Sequence, residues 1–187
     1  MKILRPSLLM LLLVSVITGL GYPMMITGIA QVVFPQQANG SMVLQNGQNA
    51  GSTLIGQEFK KPGYFWARLS ATGDHPYNGL ASGGSNMNTG NPALSDAVKA
   101  RIAELKKYPT PASAVPVDLV TASASGLDPH ITPAAAYYQA PRVAGARHMD
   151  MAKVNELIAA NTEQPWVGIL GEPHVNVLAL NMALDKL

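Results

Sequence analysis

Leu8-Leu9-Met10-Leu11-Leu12-Leu13-Val14-Ser15-Val16-Ile17-Thr18-Gly19-Leu20-Gly21-Tyr22-Pro23-Met24-Met25-Ile26-Thr27-Gly28-Ile29-Ala30-Gln31-Val32-Val33-Phe34 decides how every later residue is read, because it fixes the solvent around them. No charged side chain occurs from Pro6 to Gln57. At 1.5 Å rise per residue, Leu8 to Phe34 gives about 40 Å of helix, enough for a hydrocarbon core of about 30 Å. The stretch predicts a membrane-spanning helix over 8–34, kinked at Pro23. Lys2 and Arg5 precede it and the next basic residue is Lys60, so residues 1–7 are expected on the cytoplasmic side and residues 35–187 outside. A cleaved signal peptide shares the basic start and apolar run, and Gly28-Ile29-Ala30 has the small residues for cleavage before Gln31. The apolar character continues to Phe34, past the length of a signal core, which favours an uncleaved anchor. Both readings export the domain.

Outward from this stretch, the composition describes one exported domain. Lys2 and Arg5 supply two of 13 basic residues, leaving 11 against 11 acidic ones beyond the anchor. That balance, with no Lys/Arg stripe interleaved with aromatics, excludes a nucleic-acid-binding surface. The chain has no cysteine, which excludes disulfides, a lipid-modified cysteine and thiolate metal sites. Only 13% of residues are charged, a low share for an isolated surface, and buried interfaces would account for it.

Asn39-Gly40 and Asn46-Gly47 flank Met42-Val43-Leu44 and predict a hairpin-like excursion next to the membrane. Ser52 to Phe59 reads as a strand or turn with Leu54, Ile55 and Phe59 inward. Gly63 to Ala71 reads as an aromatic strand whose consecutive Tyr64, Phe65 and Trp66 cannot share one face. Thr72 to Gly90 is a long loop, Gly- and Asn-rich, of the kind that carries binding functions. Asn91-Pro92 opens a helix with Leu94, Val98, Ile102 and Leu105 on its buried face. Val117 to Thr121 reads as a strand, Thr132-Pro133 opens a second helix that Pro141 ends or kinks, and Asp150 caps a third through Asn161. Trp166 to Leu170 and His174 to Leu180 read as strands around a Gly171-Glu172-Pro173 turn, and the tail from Ala179 as helical. Alternation of strands and helices predicts an α/β exported domain on a single transmembrane helix.

Chemistry-bearing patterns are few. Ser123 lacks the Gly-x-Ser-x-Gly frame of a nucleophile elbow, and Ser125, Asp128 and His130 suit capping and turn bonds better than a triad. Gly83-Gly84-Ser85-Asn86 is not followed by the Lys of a phosphate loop. His75, His130, His148 and His174 show no metal-ligand spacing. The sequence therefore predicts no catalytic and no metal-ligating residue.

The strings Val117-Asp118-Leu119-Val120-Thr121-Ala122-Ser123-Ala124-Ser125-Gly126-Leu127-Asp128-Pro129-His130-Ile131, Arg142-Val143-Ala144 with Ala146-Arg147, and Val175-Asn176-Val177-Leu178 with Leu180-Asn181 resemble the C-subunit family of the bacterial Kdp potassium-transporting P-type ATPase. Leu54-Ile55-Gly56-Gln57, Gly84-Ser85-Asn86 and Arg5-Pro6 extend the match over nearly the whole chain. Leu69 and Met87 depart from the family's usual proline and leucine. The resemblance implies a non-catalytic accessory subunit with no cofactor of its own, single-pass in the bacterial inner membrane with its domain periplasmic. Its partners would be an A subunit that selects K⁺, a B subunit that hydrolyses ATP and a small F subunit. Its role would be assembly and stability of the importer, with the domain over the external entrance of the A subunit. The alternative that the family offers is a catalytic chaperone raising the ATP affinity of the B subunit through a ternary complex with ATP. For that alternative Ser123, Ser125, Gly126, Arg142 and Arg147 are the candidate nucleotide contacts. A domain outside the membrane cannot reach cytosolic ATP, so the topology argument opposes it.

Overall fold

The computed structural model describes residues 3–45 and 47–187. The Lys2 flank of the apolar stretch and Asn46 of the second expected turn lie outside the described residues. Leu4–Val33 is one helix of 30 residues, long and apolar enough to cross a membrane and with none of it buried within the chain. It begins four residues before the predicted span and comprises α1 (Leu4–Val16), a π turn (Ile17–Gly21) and α2 (Tyr22–Val33). Pro23 has no N–H to offer the Gly19 carbonyl, and its ring would press on that oxygen. The ladder widens just ahead of it, with the Tyr22 N–H donating to the Ile17 carbonyl five residues back. Where the sequence predicts a kink at Pro23, the structure has this π turn within a helix that continues to Val33.

Phe34 leaves helical geometry (φ −133°, ψ 56°) and a single turn, α3 (Pro35–Ala38), follows. The predicted hairpin is present as β1 (Met42–Gln45) and β2 (Gln48–Ser52), antiparallel with Met42 opposite Ser52 and Gln45 opposite Gln48. The chain divides after Ser52, and Thr53–Leu187 forms a second unit of mixed helix and sheet.

In that unit four helices are started by side-chain caps. Asn91 accepts from Ala93 N–H at the head of α4 (Pro92–Leu105), and Thr132 accepts from Ala135 N–H at the head of α5 (Pro133–Arg147). Three short strands, β3 (His130–Ile131), β4 (Thr162–Glu163) and β5 (His174–Asn176), pair antiparallel in the order β3-β5-β4. Asp150 accepts from Ala152 N–H ahead of α6 (Met151–Ala160), and Asn176 from Ala179 N–H ahead of α7 (Val177–Leu184). Val143 of α5, Val154 and Ile158 of α6, Val175 of β5 and Leu180 and Leu184 of α7 bury completely or nearly so with Phe65 and Leu119. Fully burying one such side chain stabilises by roughly 1.5–3 kcal/mol, so this core carries the unit.

Several predicted elements take another form. The Val117–Thr121 strand is a short 3₁₀ turn, Val117–Leu119, with Val117 exposed. Pro116 (φ −57°) leads into it, and the Asp118 carboxylate accepts from Thr132 N–H at 2.7 Å, which ties the turn to the head of α5. Pro141 does not end α5, which continues to Arg147. The carbonyl that loses its donor there belongs to Tyr137, a residue on the exposed side, where water can replace the bond. His174–Leu180 is three residues of strand and then helix, because Asn176 caps α7. Trp166–Leu170 is a tight exposed turn closed by a single bridge between its ends. Leu54 is exposed instead of inward.

The Gly63–Ala71 segment gives the largest correction. It is extended but has no strand neighbour along Tyr64 to Arg68, and both Phe65 (0% exposed) and Trp66 (3%) are buried. In an extended chain the N–H and C=O of one residue share a side and those of the next residue face the other, and here a carboxamide meets each side. Asn181 of α7 accepts from Phe65 N–H at 2.8 Å and donates to its carbonyl at 3.0 Å. Gln139 of α5 accepts from Trp66 N–H at 2.8 Å and donates to its carbonyl at 3.1 Å. Two side chains thus do what flanking strands would do, and both aromatics are enclosed between helices.

Candidate functional site

Ser123, Ser125 and Gly126 lie together in the turn before β3. Ser123 Oγ accepts from Gly126 N–H at 2.8 Å and Ser125 Oγ from Leu127 N–H at 3.1 Å, the turn chemistry that the sequence predicts for them. Gly126 sits at φ +67°, where a Cβ would lie 2.6 Å from Thr72 Cγ2 and 2.7 Å from the Gly83 carbonyl. The turn is therefore packed against the long loop: Gly83 N–H donates to Ser125 O at 2.9 Å, and Ser70 Oγ to Gly126 O at 2.7 Å. Beside it Gly56 donates its N–H to Leu127 O at 2.8 Å, and a Cβ there would meet the Tyr77 ring and, at 2.8 Å, the Asp128 carbonyl.

Charge gathers at the end of this turn. Arg68 Nη1 donates to Asp128 Oδ2 at 3.1 Å, while Asp128 Oδ1 accepts from His130 N–H at 3.0 Å. Burial alone would raise the Asp128 carboxyl; hydrogen bonds from His130 and the Arg68 guanidinium outweigh it and hold the group at about 2. The Tyr77 hydroxyl donates to the Arg68 carbonyl, and burial pushes its phenol up to about 12. Ser123, Ser125, Arg68 and Asp128 line one shallow cavity with Leu54 and Pro129. Its polar side chains are mostly turned to neighbouring backbone, and it pairs one cation with one anion.

Arg142 and Arg147 belong to a different cluster. Arg142, 2% exposed, donates to the carbonyls of Pro62 and Tyr64 and to Gln139 Oε1 at 2.6 Å, and its guanidinium lies 4.1 Å from the Trp66 ring centroid. Burial lowers it to about 10, so it stays charged at any neutral pH. Arg147 donates to the Gly63 carbonyl at 2.7 Å and pairs with Asp185 while its guanidinium covers the Tyr64 ring. It lines an open cavity with His148, Asp150, Lys153 and Leu187 that contains none of the serines. The five candidate contacts thus fall in two groups: Ser123, Ser125 and Gly126 in the turn before β3, and Arg142 and Arg147 on the Pro62-Gly63-Tyr64 backbone. Among the described residues no group of three or more His, Asp or Glu side chains is arranged to hold a metal.

Sequence reasoning missed Arg68, Tyr77, Gln139 and Asn181, whose roles depend on partners far along the chain. Asn176 and Asn181 lie in one of the strings that carry the resemblance, and Gly56, Gly84, Gly126 and Arg142 lie in others. The structure shows what these residues do: they close turns, let backbones approach, and hold the extended aromatic segment.

The model of one family, KdpC, described as K⁺-transporting ATPase, c chain, matches residues 4–186. The chain belongs to the KdpC family. It is 59% identical over 187 residues to a potassium-transporting ATPase KdpC subunit of Polaromonas naphthalenivorans, covering 100% of this chain and 95% of that one. To the proteins of the same description from Variovorax paradoxus and Herpetosiphon aurantiacus it is 58% and 57% identical, covering 98% of this chain and 96% and 95% of theirs. KdpC membership agrees with the one apolar helix at the N-terminus.

Proposed function

We propose that this chain is the accessory subunit of an ATP-driven potassium importer of the bacterial inner membrane, non-catalytic and required for assembly and stability. The helix 4–33 anchors it with the N-terminus cytoplasmic, and residues 35–187 lie outside, over the external entrance of the ion-selecting A subunit. ATP hydrolysis belongs to the B subunit, and a small F subunit completes the complex. The full-length family match supports membership of the complex. The observation that carries the non-catalytic reading is the use made of the polar side chains in the strings. Ser123, Ser125, Asp128, Arg142, Asn176 and Asn181 bond backbone groups of their own chain. Side chains spent in this way build a rigid body for docking.

Placement is tested by the single substitution Leu80→Cys, at a fully exposed position in a chain that has no cysteine. Labelling by a membrane-impermeant maleimide in intact cells is the expected result. Labelling that required lysis would put the domain in the cytosol, overturn its placement over the external entrance and bring ATP within reach.

A further inference from the structure

Between β4 and β5 the chain leaves the sheet in an excursion, 164–173, whose tip carries Trp166 (74% exposed), Val167 (72%), Ile169 (80%) and Leu170 (55%). The other exposed large apolar side chains of 53–187 stand singly along the chain, so this is its one such cluster among the described residues. A contiguous apolar patch of this kind marks an interaction site. The backbone beneath it is closed on itself. Trp166 N–H donates to Leu170 O at 2.9 Å, Leu170 N–H returns to Trp166 O at 3.0 Å, and Gly168 N–H donates to Pro165 O at 3.0 Å. The tip is therefore a formed turn and brings its side chains to a partner with little left to order.

The turn also holds a strained residue. Within it Ile169 N–H donates to Trp166 O at 3.3 Å, and Val167 (φ 55°) and Gly168 (φ 76°) occupy the two central positions of that 166–169 turn, both in the left-handed region. Asn-Gly or Gly-Gly suits such a turn, whereas a β-branched residue at positive φ is an outlier. An apolar side chain is kept at the tip where a polar one would fold more easily.

The collar of the loop decides which partner it fits. From Glu163 to Glu172 the chain has these two carboxylates and no Lys or Arg. Glu163 stands opposite His174 in the β4–β5 pair, with His174 Nε2 at 3.5 Å from its carboxylate. Segments that dip into a bilayer surface take a basic flank, because anionic headgroups repel carboxylates. An apolar tip inside an acidic collar instead complements a protein pocket with apolar walls and a cationic rim, and a central Trp is the residue type that dominates such contacts. We propose that the 164–173 loop is a plug that seats Trp166 and Ile169 in an apolar, Lys/Arg-rimmed pocket of another subunit of the same transporter. This rests on the reading of the chain as a subunit and is independent of the side on which the domain lies.

The test uses the complete complex, with an affinity tag on this chain. The Ile169→Cys chain reacts with a water-soluble maleimide, read on this chain by gel shift, at least tenfold more slowly in the complex than when purified alone. Leu80→Cys serves as the unprotected reference. Trp166→Ala and Ile169→Asp lower the partner subunits recovered per tagged chain about tenfold in stringent detergent washes. Glu163→Lys with Glu172→Lys lowers them less and reduces the salt sensitivity of recovery, and Leu80→Asp leaves recovery unchanged. Equal labelling of the Ile169→Cys variant in the complex and as the free chain overturns the proposal, even where the membrane helix keeps the subunits together. Quenching of Trp166 by lipids brominated on their acyl chains, with recovery unaffected by the loop variants, overturns it in favour of the bilayer. Failure of the unaltered chain to recover any partner would instead sink the subunit reading itself.

Discussion

Two regions of the second unit invert the usual placing of side chains, and in opposite directions. At Phe65-Trp66 the amides of Gln139 and Asn181 and the guanidinium of Arg142 are buried. At 164–173 Trp166, Val167, Ile169 and Leu170 are out in solvent. The first inversion is complete within the chain, since the buried carboxamides and the backbone N–H and carbonyl groups of Phe65 and Trp66 satisfy one another. The second is completed by nothing among the described residues. A polar group inside reports on the fold, whereas an apolar group outside reports on what the fold meets.

Removing the internal partner should have the largest effect. Gln139→Ala or Asn181→Ala orphans a buried N–H and a buried carbonyl together and is expected to cost about 3–5 kcal/mol. Urea unfolding of the detergent-solubilised chain reads it through Trp66, in a Trp166→Phe background that silences the exposed indole. A loss below about 1 kcal/mol would mean that the carboxamides do not stand in for strands. Arg142→Lys comes next, at about 2–3 kcal/mol, because a lysine cannot reach two carbonyls and Gln139 at once while stacking on Trp66.

The turn between the two regions responds to acid. Asp128 is held at about 2 against an ordinary 3.8, so its contribution is fully present above about pH 4 and is lost as pH falls through 2. Partial exposure limits it to on the order of 1 kcal/mol. Asp128→Asn should flatten the acid limb of the stability profile measured by the same unfolding assay. The smallest effect is at the loop: Ile169→Ser should change the stability of the isolated chain by no more than about 0.5 kcal/mol. A large loss there would mean that the loop belongs to the core after all, and the comparison would fail.

What the sequence announces and what it conceals divide along the same line. Asn91, Thr132 and Asp150 declare their helices because a cap and its amide are two or three residues apart. Asn176 carries the same signal, but the apolar run Val177 to Leu180 behind it fits strand and helix alike at that length. The hairpin at 42–52 and the long apolar helix follow from local pattern, as does the turn role of Ser123 and Ser125. The clamp on Phe65 and Trp66 is not legible, because its amides lie 116 and 73 residues away and nothing near the aromatics calls for them. Val167-Gly168 reads as strand interior because valine is a poor predictor of a left-handed turn, and that anomaly is what singles it out in three dimensions.

The π turn at Ile17–Gly21 gives the long apolar helix a property that its composition hides. A turn one residue wider than its neighbours steps the azimuth of everything beyond it by about 100°. Side chains that would line up along one stripe of an unbroken α-helix are offset between Leu4–Val16 and Tyr22–Val33. A single straight neighbour following a groove along the first segment loses it at the second, so the upper and lower halves of this helix present separate faces and can be gripped by two different neighbours.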